Sequence, residues 1–313
     1  MIEKADTRLD ALRVWLTPLV PCYGLALESL APASADASFR RYFRLASDSG
    51  TTYIVMDAPP EKEPVGPYLK VQELMRKAGL NVPVIYEKNE EAGFILMSDL
   101  GQKTYLDVLT LENAPALFDG AVDELISWQK ATQPAVLPPY DESVLRRELQ
   151  LFPDWYIARH RGYTMTEQDK VDLERVFSRL VADNLAVSSV YVHRDYMPRN
   201  LMVSDTGRPG VIDFQDALIG PITYDIASLM RDAFVSWPEE FVLDMTIRYW
   251  EKARRAKLAV PEDFGDFWRH VEWMGLQRHL KVLGIFARIN YRDGKPKYLA
   301  DTPRFLEYVR RTA

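Results

Sequence analysis

Three side chains with hard oxygen donors stand close together in this chain: Asp195, Asn200 five residues later, and Asp213 thirteen residues after that. Strand-like apolar runs frame them, Val190-Tyr191-Val192 before, Leu201-Met202-Val203 between and Val211-Ile212 directly ahead of Asp213. Carboxylate and amide oxygens suit a hard divalent cation, and a carboxylate within reach of a hydroxyl can orient it or take its proton. A hairpin that folds Asn200 against Asp213 would bring both to one Mg²⁺ and leave Asp195 for an acceptor hydroxyl, the layout that phosphoryl transfer needs. Isolated Asp and Asn residues in loops are most often turn formers and caps. Three of them at this spacing, between apolar runs, point to chemistry.

Periodicity supplies the elements that would hold them. Leu9, Leu12, Leu16 and Leu19 predict a short amphipathic helix closed by Pro18 and Pro21. The stretches Phe39–Leu45 and Thr51–Met56, separated by Ser47-Asp48-Ser49-Gly50, predict a hairpin. Pro64 opens a predicted helix through Ala78 that Gly79 stops, and strand patterning resumes at Val82–Tyr86 and Gly93–Met97. Beyond Asp99 the period is helical, clearest over Pro115–Thr132, Asp141–Arg159 and Glu167–Leu185, with one β island around the three polar residues. The expected fold class is α+β and bilobal: a small β-rich N-terminal lobe with one helix, residues 1–98, and a larger, mainly α lobe, residues 99–313.

The string His193-Arg194-Asp195-Tyr196-Met197-Pro198-Arg199-Asn200, followed by Ile212-Asp213-Phe214, resembles the His-x-Asp-x-x-x-x-Asn and Ile-Asp-Phe/Trp signature of the aminoglycoside phosphotransferase and choline kinase family. The likeness spans nearly the whole chain, with sharp motifs only from His193 to Asp225. It implies a protein-kinase-like fold, with ATP and Mg²⁺ as cofactors. By position it implies Asp195 as the group that orients or deprotonates the acceptor, and Asn200 and Asp213 as metal holders. His193, and Asp225 within Gly220-Pro221-Ile222-Thr223-Tyr224-Asp225-Ile226-Ala227, would brace the catalytic loop. An acid at a helix start is equally an ordinary first-turn residue.

The nucleotide side departs from the family pattern. Small residues and Ser38, in Ala35-Asp36-Ala37-Ser38, stand where a glycine-rich phosphate loop is expected, and Tyr53–Asp57 lacks the family's strand lysine. Strand alternation puts Arg40, Tyr42 and Arg44 on one face and Arg41 and Phe43 on the other, so Arg40, Arg41 or Arg44 is expected to supply the phosphate-binding charge. Glu73 falls opposite the inward residues Val71, Leu74, Met75 and Ala78, which disqualifies it as the partner of that charge. The segment Phe94–Gly101 resembles the family's hinge, where main-chain groups near Met97 and Ser98 would read adenine.

Further strings, Ala37–Arg44, Val55–Pro60, Glu148–Tyr156 and Gln277–Arg288, resemble one group of that family, the anomeric kinases of N-acetylmuramate and N-acetylglucosamine used in bacterial cell-wall recycling. That likeness implies a small-molecule amino sugar, phosphorylated at its C1 hydroxyl to an α-1-phosphate. Candidate substrate residues are Glu148, Trp155, Arg194, Gln277 and His279. Each has an ordinary reading as well. Leu276, Leu280, Leu283 and Ala287 form the apolar stripe of their helix, which would leave Gln277 and His279 on a solvated face, and Trp155 would be core. Other alcohols of the same enzyme class (choline, homoserine, an aminoglycoside), or a nucleotide-binding module that transfers nothing, remain the alternatives.

Composition narrows the partners. With 39 Lys+Arg against 45 Asp+Glu, the formal charge of -6 gives no general attraction to nucleic acid or anionic membranes, and no apolar run is long enough for a membrane span. A cytoplasmic protein is expected. Cys22, the single cysteine, is expected as a buried, inert thiol.

Overall fold

The structure is a computed structural model that describes residues 6–34 and 39–313. Its N-terminal sheet is antiparallel throughout and built from β1 (Ala31–Ser34), β2 (Arg41–Ala46), β3 (Thr52–Asp57), β4 (Ile85–Asn89) and β5 (Phe94–Ser98), in the order β1-β2-β3-β5-β4. The expected hairpin is β2–β3, in register from Arg41↔Asp57 to Ala46↔Thr52. Two helical elements cover its two faces. α1 (Thr7–Leu16) starts where the Asp6 carboxylate accepts the Leu9 N–H, and buries Leu12 and Leu16 against Leu45, Val55 and Leu96. Pro18 breaks it into a 3₁₀ turn and the four-residue α2 (Val20–Tyr23). None of the α2 side chains is buried, so Cys22 is exposed rather than buried as expected: a single helical turn has too little surface to seat one.

α3 (Gly66–Lys77) takes the opposite face, burying Tyr68, Val71 and Met75. Glu73 lies outward as periodicity required, paired with Lys77 at 2.7 Å. Of the predicted strand Val82–Tyr86 only the end enters β4, because Pro83 has no N–H for a ladder and Val84 bonds instead to Ser98.

The C-terminal part is mainly helical, with α4 (Tyr105–Val108), α5 (Ala114–Lys130), α6 (Glu142–Leu149), α7 (Glu167–Ala186), α8 (Tyr224–Met230), α9 (Glu239–Arg255), α10 (Phe264–Asp293) and α11 (Thr302–Thr312). The helix read as continuous over Asp141–Arg159 divides after Leu149 and resumes as a π-helical segment, Phe152–His160, because Pro153 cannot donate to the α ladder. The β island holds β6 (Ser189–Val192), β7 (Leu201–Met202), β8 (Gly210–Val211) and β9 (Leu218–Pro221). β7 pairs with β8 to make the hairpin that joins Asn200 to Asp213, while β6 pairs with β9, a strand that periodicity did not single out.

One apolar core crosses between the two parts, running from Met56, Tyr68 and Met97 through Phe214 to Tyr191, Leu201 and Met274. α10 threads this interior. Gln277, Arg278 and His279 are buried with its leucines, so the face read as solvated is packed inside. Among the described residues no helix is long and apolar enough to cross a membrane.

α10 approaches the π-helical segment so closely that a Cβ on Gly284 would stand 2.4 Å from the carbonyl carbon and oxygen of Leu151. Backbone cannot rotate away as a side chain can. Gly284→Ala is therefore expected to cost about 1–3 kcal/mol, read as a lower denaturant midpoint; an unchanged midpoint would contradict this contact.

Candidate active site

The catalytic-loop candidate is built on strained backbone. Arg194 has φ +77° and Asp213 has φ +62°, both left-handed, which non-glycine residues avoid. Asp225, in the first turn of α8, holds the first of these in place: its carboxylate accepts the N–H groups of His193 (2.7 Å) and Arg194 (3.0 Å). Complete burial pushes the Asp225 carboxyl up to about 6, against the lowering effect of His193 and these bonds. His193 is also fully buried, and burial pushes its imidazole down, so the ring is neutral at pH 7. Its tautomer follows from its partners: Nε2–H donates to the Ile212 carbonyl at 3.0 Å, and Nδ1 accepts the Asp195 N–H at 3.3 Å. Tyr196 pins the same loop to α5 through a 2.7 Å bond to the Ala121 carbonyl.

Asn200 joins the remaining parts. Its Nδ2 donates to the Asp195 carbonyl at 2.9 Å and reaches Asp213 Oδ2 at 3.5 Å, which leaves Oδ1 as the atom that can face a cation. The Asp213 carboxylate accepts Gln215 Nε2 at 2.8 Å. Asn200 and Asp213 line a cleft of about 580 Å³ together with Tyr42, Arg44, Tyr68, Met97 and Ser98. Asn200 and Asp213 thus meet at the cleft wall, with Asp195 joined to Asn200 through its main-chain carbonyl, and this pair of hard oxygen donors fits a Mg²⁺ that also takes phosphate and water ligands.

Strand alternation sorts the arginines. Arg41 points to the sheet's other face, bound to Asp57 at 2.5 Å and to Asp6, and is not in the cleft; its expected nucleotide role is withdrawn because its charge is spent across the sheet from the site. Arg44 lines the cleft but is engaged with Asp99 at 2.6 Å and with the Gly101 carbonyl. Arg40 pairs with Glu63 at 2.8 Å, and the same carboxylate accepts the Phe39 N–H. Burial pushes the Tyr68 phenol well up, and the Arg40 charge opposes that rise; Arg40 is not among the residues that line the cleft. Glu63 was missed, and no periodic signal could have found it, since it lies in a turn ahead of α3. Met97 and Ser98 both line the cleft, but the Ser98 N–H is taken by the Val84 carbonyl at 2.9 Å, so that amide does not face adenine. Ser38 lies outside the described residues.

Glu148, Arg194 and Gln277 come together as one buried network. Glu148 accepts Arg194 Nη2 at 2.5 Å, Lys281 Nζ at 3.0 Å, Gln277 Nε2 at 3.3 Å and the Tyr140 hydroxyl. Lys281 also donates to the Tyr224 hydroxyl at 3.0 Å. Burial alone would raise the Glu148 carboxyl, but Lys281 and Arg194 hold it down to about 2. Asp195 is within electrostatic range of both cations and favours their charged forms. His279 does not belong to this set: it is 1% exposed, packed on the rings of Phe305 and Tyr308, and pushed far down by burial and by Arg278 and Arg231. Its substrate assignment is withdrawn, because on a helix the 100° step from Arg278 turns it toward α11. Trp155 is half-buried in the apolar cluster around Tyr156 and Phe305, as a packing residue. Besides Tyr42 and Tyr68, the rings of Phe234 and Tyr298 line the cleft.

Removing the Glu148 charge leaves two cations facing each other in a buried space. Its folded value of about 2 lies below the ordinary 4.5, so its contribution is complete above pH 4.5 and is lost as pH falls toward 2. Glu148→Gln is expected to destabilise by about 3–5 kcal/mol near neutral pH, with the gap to the parent narrowing on acidification in pH-dependent denaturation. A gap that stays constant would contradict the pairing.

Comparison with known proteins agrees with this geometry. The sequence profile of the phosphotransferase enzyme family matches residues 29–260. A protein of Pseudomonas aeruginosa named N-acetylmuramate/N-acetylglucosamine kinase is 52% identical over 311 residues, covering 97% of this chain and 91% of that protein. Two solved structures share the fold at low identity. Aminoglycoside phosphotransferase APH(2'')-Ib, ADP-bound, has a TM-score of 0.63 at 13% identity over 99% of both chains. Amicoumacin kinase hAmiN in complex with AMP-PNP, Ca²⁺ and Ami has 0.66 at 15% identity, over 99% of this chain and 97% of that one. With a profile that runs from ahead of β1 to just past α9, and a relative that shares more than half of its residues along nearly its full length, the chain belongs to the phosphotransferase enzyme family.

Proposed function

We propose that this phosphotransferase moves the γ-phosphoryl group of ATP to the anomeric C1 hydroxyl of N-acetylmuramate and N-acetylglucosamine, giving the sugar α-1-phosphate. The reading is carried by one observation: a single amide, Asn200, is bonded to the main chain of Asp195 and reaches the carboxylate of Asp213 at the wall of the cleft. The sugar identity is supported by the name of the Pseudomonas aeruginosa relative, and the nucleotide by the ADP and AMP-PNP of the structural neighbours. In this reading residues 1–98 are the nucleotide-binding lobe and residues 99–313 carry catalysis and acceptor binding.

Asn200 and Asp213 would hold Mg²⁺, which when bound neutralises charge on the phosphates. Asp195 aligns the acceptor hydroxyl for in-line attack on the γ-phosphorus. The new phosphorus–oxygen bond forms as the bond to the β-phosphate oxygen breaks, ADP departs, and the hydroxyl proton passes late to the Asp195 carboxylate. A hemiacetal hydroxyl is more acidic than an ordinary alcohol, so this transfer needs only a modest base. His193 and Asp225 fix the direction of Asp195 through the loop backbone, and Arg40 with Glu63 takes the place of the family's lysine and its acid. Cationic acceptors such as choline are disfavoured, since Arg194 and Lys281 put positive charge within electrostatic range of Asp195.

Asp195→Asn is expected to lower kcat by about 10²–10⁴-fold while sparing nucleotide affinity measured by calorimetry, whereas Asn200→Ala and Asp213→Ala weaken Mg²⁺-nucleotide binding as well. Equal loss of nucleotide affinity in all three would refute this division of roles, and an unaltered protein that consumes no ATP with either sugar would remove the reading entirely. Initial-rate measurements on the arginines provide a further check: Arg40→Gln raises KM for ATP and Arg41→Gln does not. The opposite order would return Arg41 to the site.

A further inference from the structure

Acceptor binding needs residues other than those the sequence suggested. Glu148, Arg194 and Gln277 are spent on one another inside the C-terminal lobe, and His279 and Trp155 are packing residues. The sugar must therefore be held by the lining of the cleft, on the lobe that carries Asn200 and Asp213.

That lobe contributes two half-buried rings, Phe234 and Tyr298, and the carboxylate of Asp301. The Phe234 ring is close to the cation pair, with its centroid 4.9 Å from the guanidinium carbon of Arg199, the residue before Asn200. Arg304 fastens this wall: it donates to the Ala233 carbonyl, directly ahead of Phe234, and its Nη1 stands 3.6 Å from Asp301 Oδ1. Asp232 accepts the N–H groups of Phe234 (3.1 Å) and Val235 (3.2 Å), and the Ser236 and Tyr308 hydroxyls bond at 2.8 Å, which ties the same loop to α11. Ring and carboxylate thus share one anchor.

Four carboxylates line the cleft among the described residues, and three have other work. Asp99 is taken by Arg44, Asp107 closes the capping box of α4 with Thr104 at 2.8 Å, and Asp213 belongs to the cation pair. Asp301 stands at the N-cap position of α11 but makes no cap bond, and its side chain is 29% exposed. An Asp in that position ordinarily accepts a first-turn N–H. This one keeps acceptor capacity for a ligand beyond its pair with Arg304.

We infer that Phe234, Tyr298 and Asp301 form the acceptor subsite, with the rings against the C–H face of the pyranose and Asp301 accepting hydroxyls at the end of the sugar remote from C1. This rests on the functional reading above and names the residues that would hold its substrates. With C1 presented to Asp195 and the γ-phosphate, the far end of the ring carries the C4 hydroxyl and the C6 hydroxymethyl group. N-acetylmuramate and N-acetylglucosamine have both of these and differ at C3, where one carries a lactyl ether and the other a hydroxyl. A carboxylate at the far end therefore serves the two sugars alike. Aromatic walls with a few placed polar groups are the general make-up of a small-molecule pocket, and a hydroxyl donating to a carboxylate makes a short, charge-assisted bond.

The test uses the full chain with Asp301→Asn and Tyr298→Leu, both sugars, and analogues of N-acetylglucosamine that lack the C4 or the C6 hydroxyl. It measures kcat/KM for each sugar at saturating ATP and KM for ATP at saturating sugar. In the unaltered protein, loss of at least one of these hydroxyls is expected to lower efficiency about tenfold or more, and Asp301→Asn to lower it by a similar factor with both complete sugars. In Asp301→Asn the same missing hydroxyl then costs less than about twofold, because the bond it removes is already gone. Tyr298→Leu raises KM for both sugars without changing KM for ATP, and decides the matter alone if Asp301→Asn folds poorly. A full penalty for the missing hydroxyl in Asp301→Asn, or sugar kinetics unchanged in Tyr298→Leu, overturns the inference. A rise confined to KM for ATP assigns this wall to the nucleotide and overturns it too, with the functional reading left standing. Failure of the unaltered protein to turn over either sugar overturns the functional reading and the inference with it.

Discussion

A buried carboxylate accepting two consecutive main-chain N–H groups determines where everything else in the site lies. Asp225 makes those bonds to His193 and Arg194, and Arg194 could not otherwise keep a left-handed φ, which costs a non-glycine residue about 1 kcal/mol or more. The arrangement has a thermodynamic sign. Because the carboxyl is raised to about 6 in the folded protein from an ordinary 3.8, its ionisation works against stability as pH rises between those values. The loop geometry is obtained at that expense. Once the turn is set, the Asp195 N–H reaches His193 Nδ1, and Asn200 can bond to the Asp195 carbonyl.

Glu148 extends this constraint to the surrounding helices. It sits on α6, Lys281 on α10 and Arg194 in the loop itself, so one carboxylate ties two helices to the residue beside Asp195. In the dry interior such a pairing is intolerant of loss, because either partner left alone is an uncompensated buried charge. The close approach of α10 to Leu151, possible only because residue 284 is glycine, brings α10 against the segment that follows α6. Packing and electrostatics here serve one geometry: α6 and α10 are locked to the loop that carries Asp195.

Strand alternation was a reliable guide on the nucleotide side. It separated Arg41 from Arg40 and Arg44, and the structure keeps that separation, with Arg41 held by Asp57 and Asp6 on the far face. Helical periodicity was reliable for Glu73 in the same way, since an exposed helix obeys a one-sided pattern. It failed on α10. A helix buried nearly all round has no solvent face, so Gln277, Arg278 and His279 could not be assigned by asking which side was apolar. The continuous helix read across Pro153 failed for a local reason, because proline resets the hydrogen-bond ladder without ending the helical path.

Local rules acting over a few residues were enough for the hairpin β2–β3, the outward Glu73, the polar triad of Asp195, Asn200 and Asp213, and the α+β class. Hydrogen-bond period, turn chemistry and motif spacing are all properties of neighbouring residues, and they survive folding unchanged. Tertiary structure alone decided that Glu63 meets Arg40, that Glu148 gathers Arg194 and Lys281, that His279 faces α11, and that Phe234 and Tyr298 line the cleft. Each of these depends on which helix crosses which, and at what depth. Contacts between residues tens or hundreds of positions apart are set by the competition of whole surfaces for burial, which no local pattern records.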